Sequence, residues 1–246
     1  MTTTLYVDSR AAASGSHSDF QVTLRETVHI RPGARLRVDK VRFIDSFLTT
    51  DMGRYIYYKD GAGSLTYFSL QEQAYSGTRL AAQIQAATGR NTVYTEATNS
   101  LTQVVVGGQE WLSDADLKTY TTGFPSGASA SVPLSINSIL GPSSYDATNN
   151  LVWGFVKMSP YDDLYLRSRK LSCQNVHGVV GDHDILCKIT LDQGVSKVQS
   201  DESPADVYND ITEMSFKTLD FRLTDYLGRA VNLRGRSLSF HITIDQ

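Results

Sequence analysis

The sequence is poor in cysteine and in long apolar runs. Its two cysteines, Cys173 and Cys187, are too few for a disulfide-stapled scaffold and lack the CxxC spacing of zinc and redox sites. They are equidistant from Val180, so a hairpin would bring them together, either as a disulfide or, as we prefer, as a reduced buried pair. No apolar run approaches the ~18 residues of a membrane span. The first residues, 1–6, lack a basic region followed by an apolar run, so we expect no secretion by a signal peptide.

A strong net charge is also missing. The chain carries 23 Lys and Arg against 26 Asp and Glu, for a formal net charge of -3. Non-specific nucleic-acid binding depends on neutralising phosphates, so we do not expect nucleic acid as a partner. Several basic residues do occur late in the chain, but acids are interleaved with them, which favours a solvated or subunit-facing surface over a genome-facing patch. These residues are Arg167, Arg169, Lys170, Arg229, Arg234 and Arg236.

Motifs of common enzymes are absent from the sequence. It contains no HExxH, GxSxG or GxxxxGK[ST] motif and no GxGxxG after a strand. We therefore predict that the chain is not an enzyme, and we assign it no catalytic residue, no cofactor and no metal. A glycosidase with two carboxylates is the last-ranked alternative, because no spacing selects a pair.

The densest polar cluster is His177, Asp182, His183 and Asp184. Imidazoles and carboxylates at this spacing could surround a metal ion. Nothing in the pattern fixes ligand geometry, however, and surface loops collect such residues. We therefore interpret the cluster as a loop between two strands.

Two pairs of carboxylates could in principle bind a calcium ion. Asp114 lies close to Asp116, and Asp162 adjoins Asp163. Neither pair has the oxygen-rich loop spacing of a calcium motif. Helix capping accounts for the first pair, because Ser113 begins a short predicted helix and Asp116 follows it by three residues.

Strand patterns dominate the chain. The clearest is at residues 238–245, where apolar and polar residues alternate as in a strand that covers a core on one side. The same alternation at 36–43 slips by one residue at Asp39 and Lys40, which predicts a bulge or a corner between sheets. The predicted core residues of the last strand are Leu238, Phe240, Ile242 and Ile244.

Two short helices interrupt the strands. Apolar spacing predicts one at 78–88, and the capping pattern at Ser113 predicts another ending near Tyr120. Gly, Ser, Pro and Asn then dominate up to Asn150, which predicts a long loop. The predicted fold is an all-β, antiparallel two-sheet jelly-roll sandwich, a single domain over 1–246 with a loop-rich insertion at about 107–150.

Three stretches resemble a known group of viral structural proteins. The chain begins with Leu-Tyr-Val-Asp-Ser-Arg at 5–10, followed by Gly15 and Ser-Asp-Phe-Gln-Val at 18–22. Residues 75–89 are similar to that group's YxxxxLAxxIQxA helix, and 221–240 to its FxLTDxxGRxVxLxGxxSF ending. The sequence thus resembles jelly-roll minor capsid or penton-like proteins of polinton-like viruses, virophages and related double-stranded DNA viruses.

This resemblance implies a place in the virion. It implies two packed antiparallel sheets and a homo-oligomer, most often a pentamer, that contacts the major capsid protein. The competing hypothesis is a spike- or tail-associated β-sandwich that recognises a receptor or glycan, using aromatic residues near the long loop. Those residues are Trp111, Tyr120, Tyr145 and Trp153.

Overall fold

The computed structural model describes residues 2–105, 107–171, 184–191, 198–201 and 208–246, with backbone only at 198–201. The chain divides into two compact units, one formed by 1–46 and 161–246, the other by 47–160. The expected loop-rich insertion at 107–150 lies within the second unit. That unit starts at Phe47 and has sheets and a core cluster of its own.

The first unit contains two antiparallel sheets. One has the order β1-β17-β4-β14, with β15 also paired to β4. Its strands are β1 (Thr2–Asp8), β4 (Arg35–Ile44), β14 (Val198–Asp201), β15 (Asn209–Asp210) and β17 (Ser239–Asp245). The other has the order β13-β12-β16-β3-β2. Its strands are β2 (Ser14–Gly15), β3 (Asp19–Ile30), β12 (Asp163–Arg167), β13 (Ile185–Thr190) and β16 (Met214–Thr224).

The chain passes repeatedly between these two sheets. Strands β1, β4, β14 and β17 lie in one sheet, and β3, β12, β13 and β16 lie in the other. Without the two-residue strands β2 and β15, each sheet has four strands, and two four-stranded antiparallel sheets connected in this way form a jelly roll. The sheets pack face to face through aromatic rings: the Phe221 ring of β16 lies 4.9 Å from the Phe240 ring of β17. The predicted all-β jelly-roll class is confirmed.

Strand β17 forms the centre of this core. It pairs with β1 on one side and with β4 on the other. All four predicted core residues, Leu238, Phe240, Ile242 and Ile244, are buried. The strong alternation of the sequence is thus the pattern of a central strand with one face on the core.

The phase slip in β4 is a bulge. Ser239 pairs with Arg42 and His241 with Asp39, so β4 holds one residue more than β17 between the two pairs. Lys40 lies in this gap and has a positive φ of 52°. The extra residue restores the phase, and Leu36 and Phe43 are both buried, although the alternation alone would separate them.

The left-handed backbone conformation of Lys40 leads to a testable prediction. A left-handed residue with a Cβ is strained, and β-branched residues tolerate this conformation worst. We expect Lys40→Gly to retain or raise the free energy of unfolding by up to about 1 kcal/mol, and Lys40→Val to lower it by about 1 kcal/mol or more. Urea unfolding of the two variants measures the difference. A more stable Val variant would contradict the bulge geometry.

Among its described residues, the second unit has two smaller sheets and three α-helices. One sheet has the order β6-β5-β9 and the other β10-β11-β8-β7. Its strands are β5 (Tyr55–Lys59), β6 (Leu65–Ser69), β7 (Thr92–Thr95), β8 (Ser100–Gln103), β9 (Glu110–Trp111), β10 (Ser143–Tyr145) and β11 (Leu151–Trp153). Its helices are α1 (Gly77–Thr88), α2 (Asp114–Leu117) and α3 (Asn137–Leu140).

Both predicted helices are confirmed, and the described residues contain one further α-helix that was not predicted. Helix α1 has Ser76 as its N-cap and Gly89, at φ 69°, as its C-cap. Helix α2 is shorter than predicted, and its capping box between Ser113 and Asp116 is present. Helix α3 was missed, because one turn among Gly, Ser and Pro is too short to show a helical period. No helix in the described ranges is both long and apolar enough to cross a bilayer.

Candidate functional site

The polar cluster that was interpreted as a loop, and not as a metal site, is described only at one residue. His177, Asp182 and His183 lie outside the described residues. Asp184 is described, and its Oδ1 accepts a hydrogen bond of 2.7 Å from Nη1 of Arg167. Among the residues that are described, no group of three or more His, Cys, Asp or Glu side chains could hold a metal ion.

The cysteine pair is only half described. Cys187 lies in β13 and is partly exposed. Cys173 falls outside the described residues, so a pairing of the two cysteines stays a prediction.

The basic residues do not form one surface. Arg167 is buried, which corrects its interpretation as a solvated or subunit-facing residue. Its Nε donates a hydrogen bond to Thr224 Oγ1 at 2.9 Å, and its guanidinium pairs with Asp184. Arg229 pairs with Asp225 at 2.7 Å, and Arg169 is exposed.

The carboxylate pairs have structural partners. Asp116 caps α2, because its Oδ2 accepts hydrogen bonds from the Ser113 backbone N and Oγ. Asp114 Oδ1 accepts from Ser135 Oγ at 2.5 Å and from Asn137 Nδ2 at 2.7 Å. The Asp163 carboxylate, in the other unit, pairs with Lys188 at 2.8 Å.

The four predicted aromatic residues separate into three environments. Trp153 is fully buried, and the Trp111 ring packs against it edge-on at 6.0 Å. Tyr120 packs against a different cluster, around Tyr57. Only Trp111 and Tyr145 border a common open cleft.

This cleft, which we call the β9–α3 cleft, has a volume of about 650 Å³. It is bordered by β9, the start of α2, helix α3 and β10. The chain can turn from α3 into β10 because Gly141 adopts φ 69°, and a Cβ there would lie 2.7 Å from the Phe155 carbonyl oxygen. The lining residues used below are Glu110, Trp111, Asp114, Asp116, Asn137 and Tyr145.

The electrostatics of the cleft are acidic. Its described lining includes three carboxylates and no Lys, Arg or His. The pKa of Tyr145 is raised, first by burial and then by the negative charge of Glu110. The Tyr145 hydroxyl therefore keeps its proton and can donate a hydrogen bond at neutral pH.

Two polar atoms of lining residues have no hydrogen-bond partner among the described residues. They are the indole Nε1 of Trp111, a donor, and Oδ1 of Asn137, an acceptor. Asn137 is a buried side chain, and its Nδ2 is engaged with Asp114 and with the Leu112 carbonyl oxygen. Unsatisfied buried groups are rare, so each of these atoms needs an explanation.

Glu110 and Asn137 were not predicted as members of a site. Asn137 is the first residue of the one-turn helix α3, which the sequence pattern does not show. Glu110 directly precedes Trp111 and pairs with Lys59 at 3.8 Å, as a cross-strand pair between β9 and β5. Only the proximity of Glu110 to an aromatic candidate could have indicated it.

A second surface feature is the free edge of β1. Seven consecutive residues, Thr2–Asp8, pair with β17 without a register shift, and β1 ends the sheet. Thr2 and Thr4 are exposed, and so is Tyr6, whose ring packs edge-on against His241. Natural edge strands are usually blunted by Lys, Pro or a bulge. Strand β1 has none of these, and no other described strand covers it.

Comparison with known proteins supports the fold. No family model matches the sequence, and no curated protein matches it either. Among solved structures, the chain is similar to the selenomethionine-labelled penton protein of mavirus. The TM-score is 0.53 and the sequence identity is 9%, over 100% of this chain and 99% of that chain. At this identity the likeness shows the fold alone, and it extends over both units.

Proposed function

We propose that this chain is a virion structural protein that occupies the capsid vertex. The observation that carries the proposal is the shared architecture with a penton protein over the full length of both chains. In this role the subunit acts by shape and contact, with no catalytic step and no cofactor. Its partners are further copies of itself and, around them, the major capsid protein.

The free edge of β1 supports self-association. An unprotected strand with open N–H and C=O groups is a template for pairing with another chain. Six of its seven residues are uncharged, and the first three are threonines, which favour strands. An assembly that covers this edge would pair the backbone N–H and C=O groups that the isolated subunit leaves open to pairing with other chains.

A fivefold ring places a geometric condition on the contact. Identical subunits around such an axis use a heterologous interface, in which one patch meets a different patch of the neighbour and the rotation closes. The β1 edge would therefore meet another surface and not its own copy. A stable contact of this kind is expected to bury on the order of 1,600 Å².

The expected result is a closed ring of five subunits in solution. Native mass spectrometry and sedimentation of the purified chain measure the subunit number, and electron microscopy shows the ring. A monomer at high protein concentration would contradict the vertex proposal and favour the spike or receptor-binding alternative.

A pair of lysine variants tests the surface used. Thr4→Lys adds a charge at the β1 edge and is expected to shift the population from ring to monomer, since charged side chains oppose strand pairing. Thr122→Lys makes the same change at an exposed loop position of the other unit and is expected to leave the ring intact. Rings that persist in Thr4→Lys would assign the contact to a different surface.

A further inference from the structure

We propose that the β9–α3 cleft binds an uncharged carbohydrate. This site goes beyond the proposed vertex role, and it lies wholly within the unit 47–160. Its volume of about 650 Å³ is that of a small-ligand site. Aromatic rings and carboxylates share its lining, which suits a ligand with both apolar C–H faces and hydroxyl groups.

Two aromatic residues supply the apolar surface. Trp111 is held in place by its edge-on contact with the fully buried Trp153, whose strand β11 pairs with β10. Tyr145 lies on β10 and is 49% exposed. A rigid ring that is already positioned loses little entropy when it stacks on a sugar face, so binding costs less than at a mobile side chain.

The carboxylates are positioned to accept hydroxyl hydrogens. Asp114 uses Oδ1, and Asp116 uses Oδ2, for its internal hydrogen bonds. No hydrogen bond engages the second oxygen of either group in the described part of the chain. Each carboxylate is thus oriented through one oxygen and retains acceptor capacity on the other.

The carboxylate oxygens and the Tyr145 hydroxyl complement the hydroxyl groups of a sugar. The carboxylates accept hydrogen bonds, and Tyr145, which lines the cleft and is exposed, can both donate and accept. A hydroxyl is both a donor and an acceptor, so a polyhydroxylated ligand can pair with either kind of group. A hard cation such as calcium is a poorer fit, because no three of the described carboxylates are placed so that they could hold a metal ion together.

The charge of the cleft selects among sugars. Three carboxylates without a basic lining residue repel an anionic ligand, and the repulsion strengthens where water is displaced. We therefore expect discrimination against sialylated and sulfated glycans. The preferred ligand is a neutral mono- or oligosaccharide.

The test is a binding screen on the full chain. A glycan array with neutral and acidic glycans is probed first, and the best neutral glycan and its sialylated counterpart are then titrated by calorimetry. Binding should change the tryptophan fluorescence, because Trp111 borders the cleft and the chain has only two tryptophans. We expect neutral glycans to bind and the sialylated counterpart to bind at least about tenfold more weakly.

Variants locate the site. Tyr145→Ala is expected to weaken binding about fivefold to tenfold by removing a stacking surface. Tyr226→Ala is the matched control, because Tyr226 is 52% exposed and lies in the other unit. Trp111→Phe retains an aromatic ring of smaller area at the cleft border, and it is expected to weaken binding less than Tyr145→Ala does.

Three results would overturn the carbohydrate site. The first is that no neutral glycan on the array binds the protein. The second is that a neutral glycan and its sialylated counterpart bind with equal affinity, and the third is that Tyr145→Ala leaves the affinity unchanged. The subunit number of the ring is measured without any sugar. Failure here is therefore distinguishable from failure of the vertex proposal.

Discussion

Replacing Phe240 with Ala is expected to lower the free energy of unfolding by about 3 to 5 kcal/mol. Phe240 is buried on the central strand β17, and its ring meets Phe221 of the facing sheet at an interplanar angle of 78°. The truncation removes both the transfer free energy of the ring and its contacts across the sandwich, and it leaves a cavity. Urea unfolding followed by circular dichroism measures the loss.

The matched control is Phe155→Ala. Phe155 is among the large apolar residues that remain exposed, so its truncation is expected to change the free energy of unfolding by no more than about 0.5 kcal/mol. A near-neutral Phe240→Ala variant would mean that the apolar face of β17 is not the core face.

Replacing Asp184 with Ala is expected to cost about 3 kcal/mol, because it removes the carboxylate from a buried guanidinium. The side chain of Arg167 is only 5% exposed, and its Nη1 lies 2.7 Å from Asp184 Oδ1. The variant removes this ion pair from a guanidinium that water hydrates little, and loss of a pairing carboxylate is costly for a buried charge. Chemical denaturation again measures the effect.

Asp163→Ala controls for the loss of a carboxylate as such. The side chains of Asp184 and Asp163 are similarly exposed, at 24% and 25%. Their partners differ, because the side chain of Arg167 is 5% exposed and that of Lys188 is 54% exposed. Water can hydrate the lysine when its partner is removed, so we expect a cost below about 1 kcal/mol. Equal losses in the two variants would contradict a special role for the buried pair.

The sequence predicts the fold class because its evidence is local. The alternation of apolar and polar residues identifies β17 as a strand whichever strands it pairs with. In the same way, the slip at Asp39 and Lys40 indicates a bulge without knowledge of the partner strand. The burial of Arg167 was missed for the opposite reason. It depends on Asp184 and Thr224, which reach Arg167 only through the pairing of β12 with β13 and β16.

The cleft was predictable only in part. Trp111 and Tyr145 were identified as aromatic candidates near a long loop, and the structure places both on one cleft. Trp153 and Tyr120 were grouped with them, but composition cannot distinguish an aromatic ring beneath a site from one that lines it. The orientation of Asp114 depends on Ser135 and Asn137, more than twenty residues away, so no local motif reveals it.

The pairing of β1 with β17 has a consequence for the order of events during synthesis. Strand β1 pairs with β17 from Thr2–Asp245 to Asp8–Ser239, so it meets its ladder partner only after all the residues between Asp8 and Ser239 have been translated. At typical ribosomal rates this delay is roughly 10 to 50 seconds. The unit 47–160 can bury its own core in that interval, whereas the jelly roll cannot close. A chain interrupted before β17 would leave β1 and β4 without the strand that lies between them, so β1 would not be held in the sheet whose edge it forms.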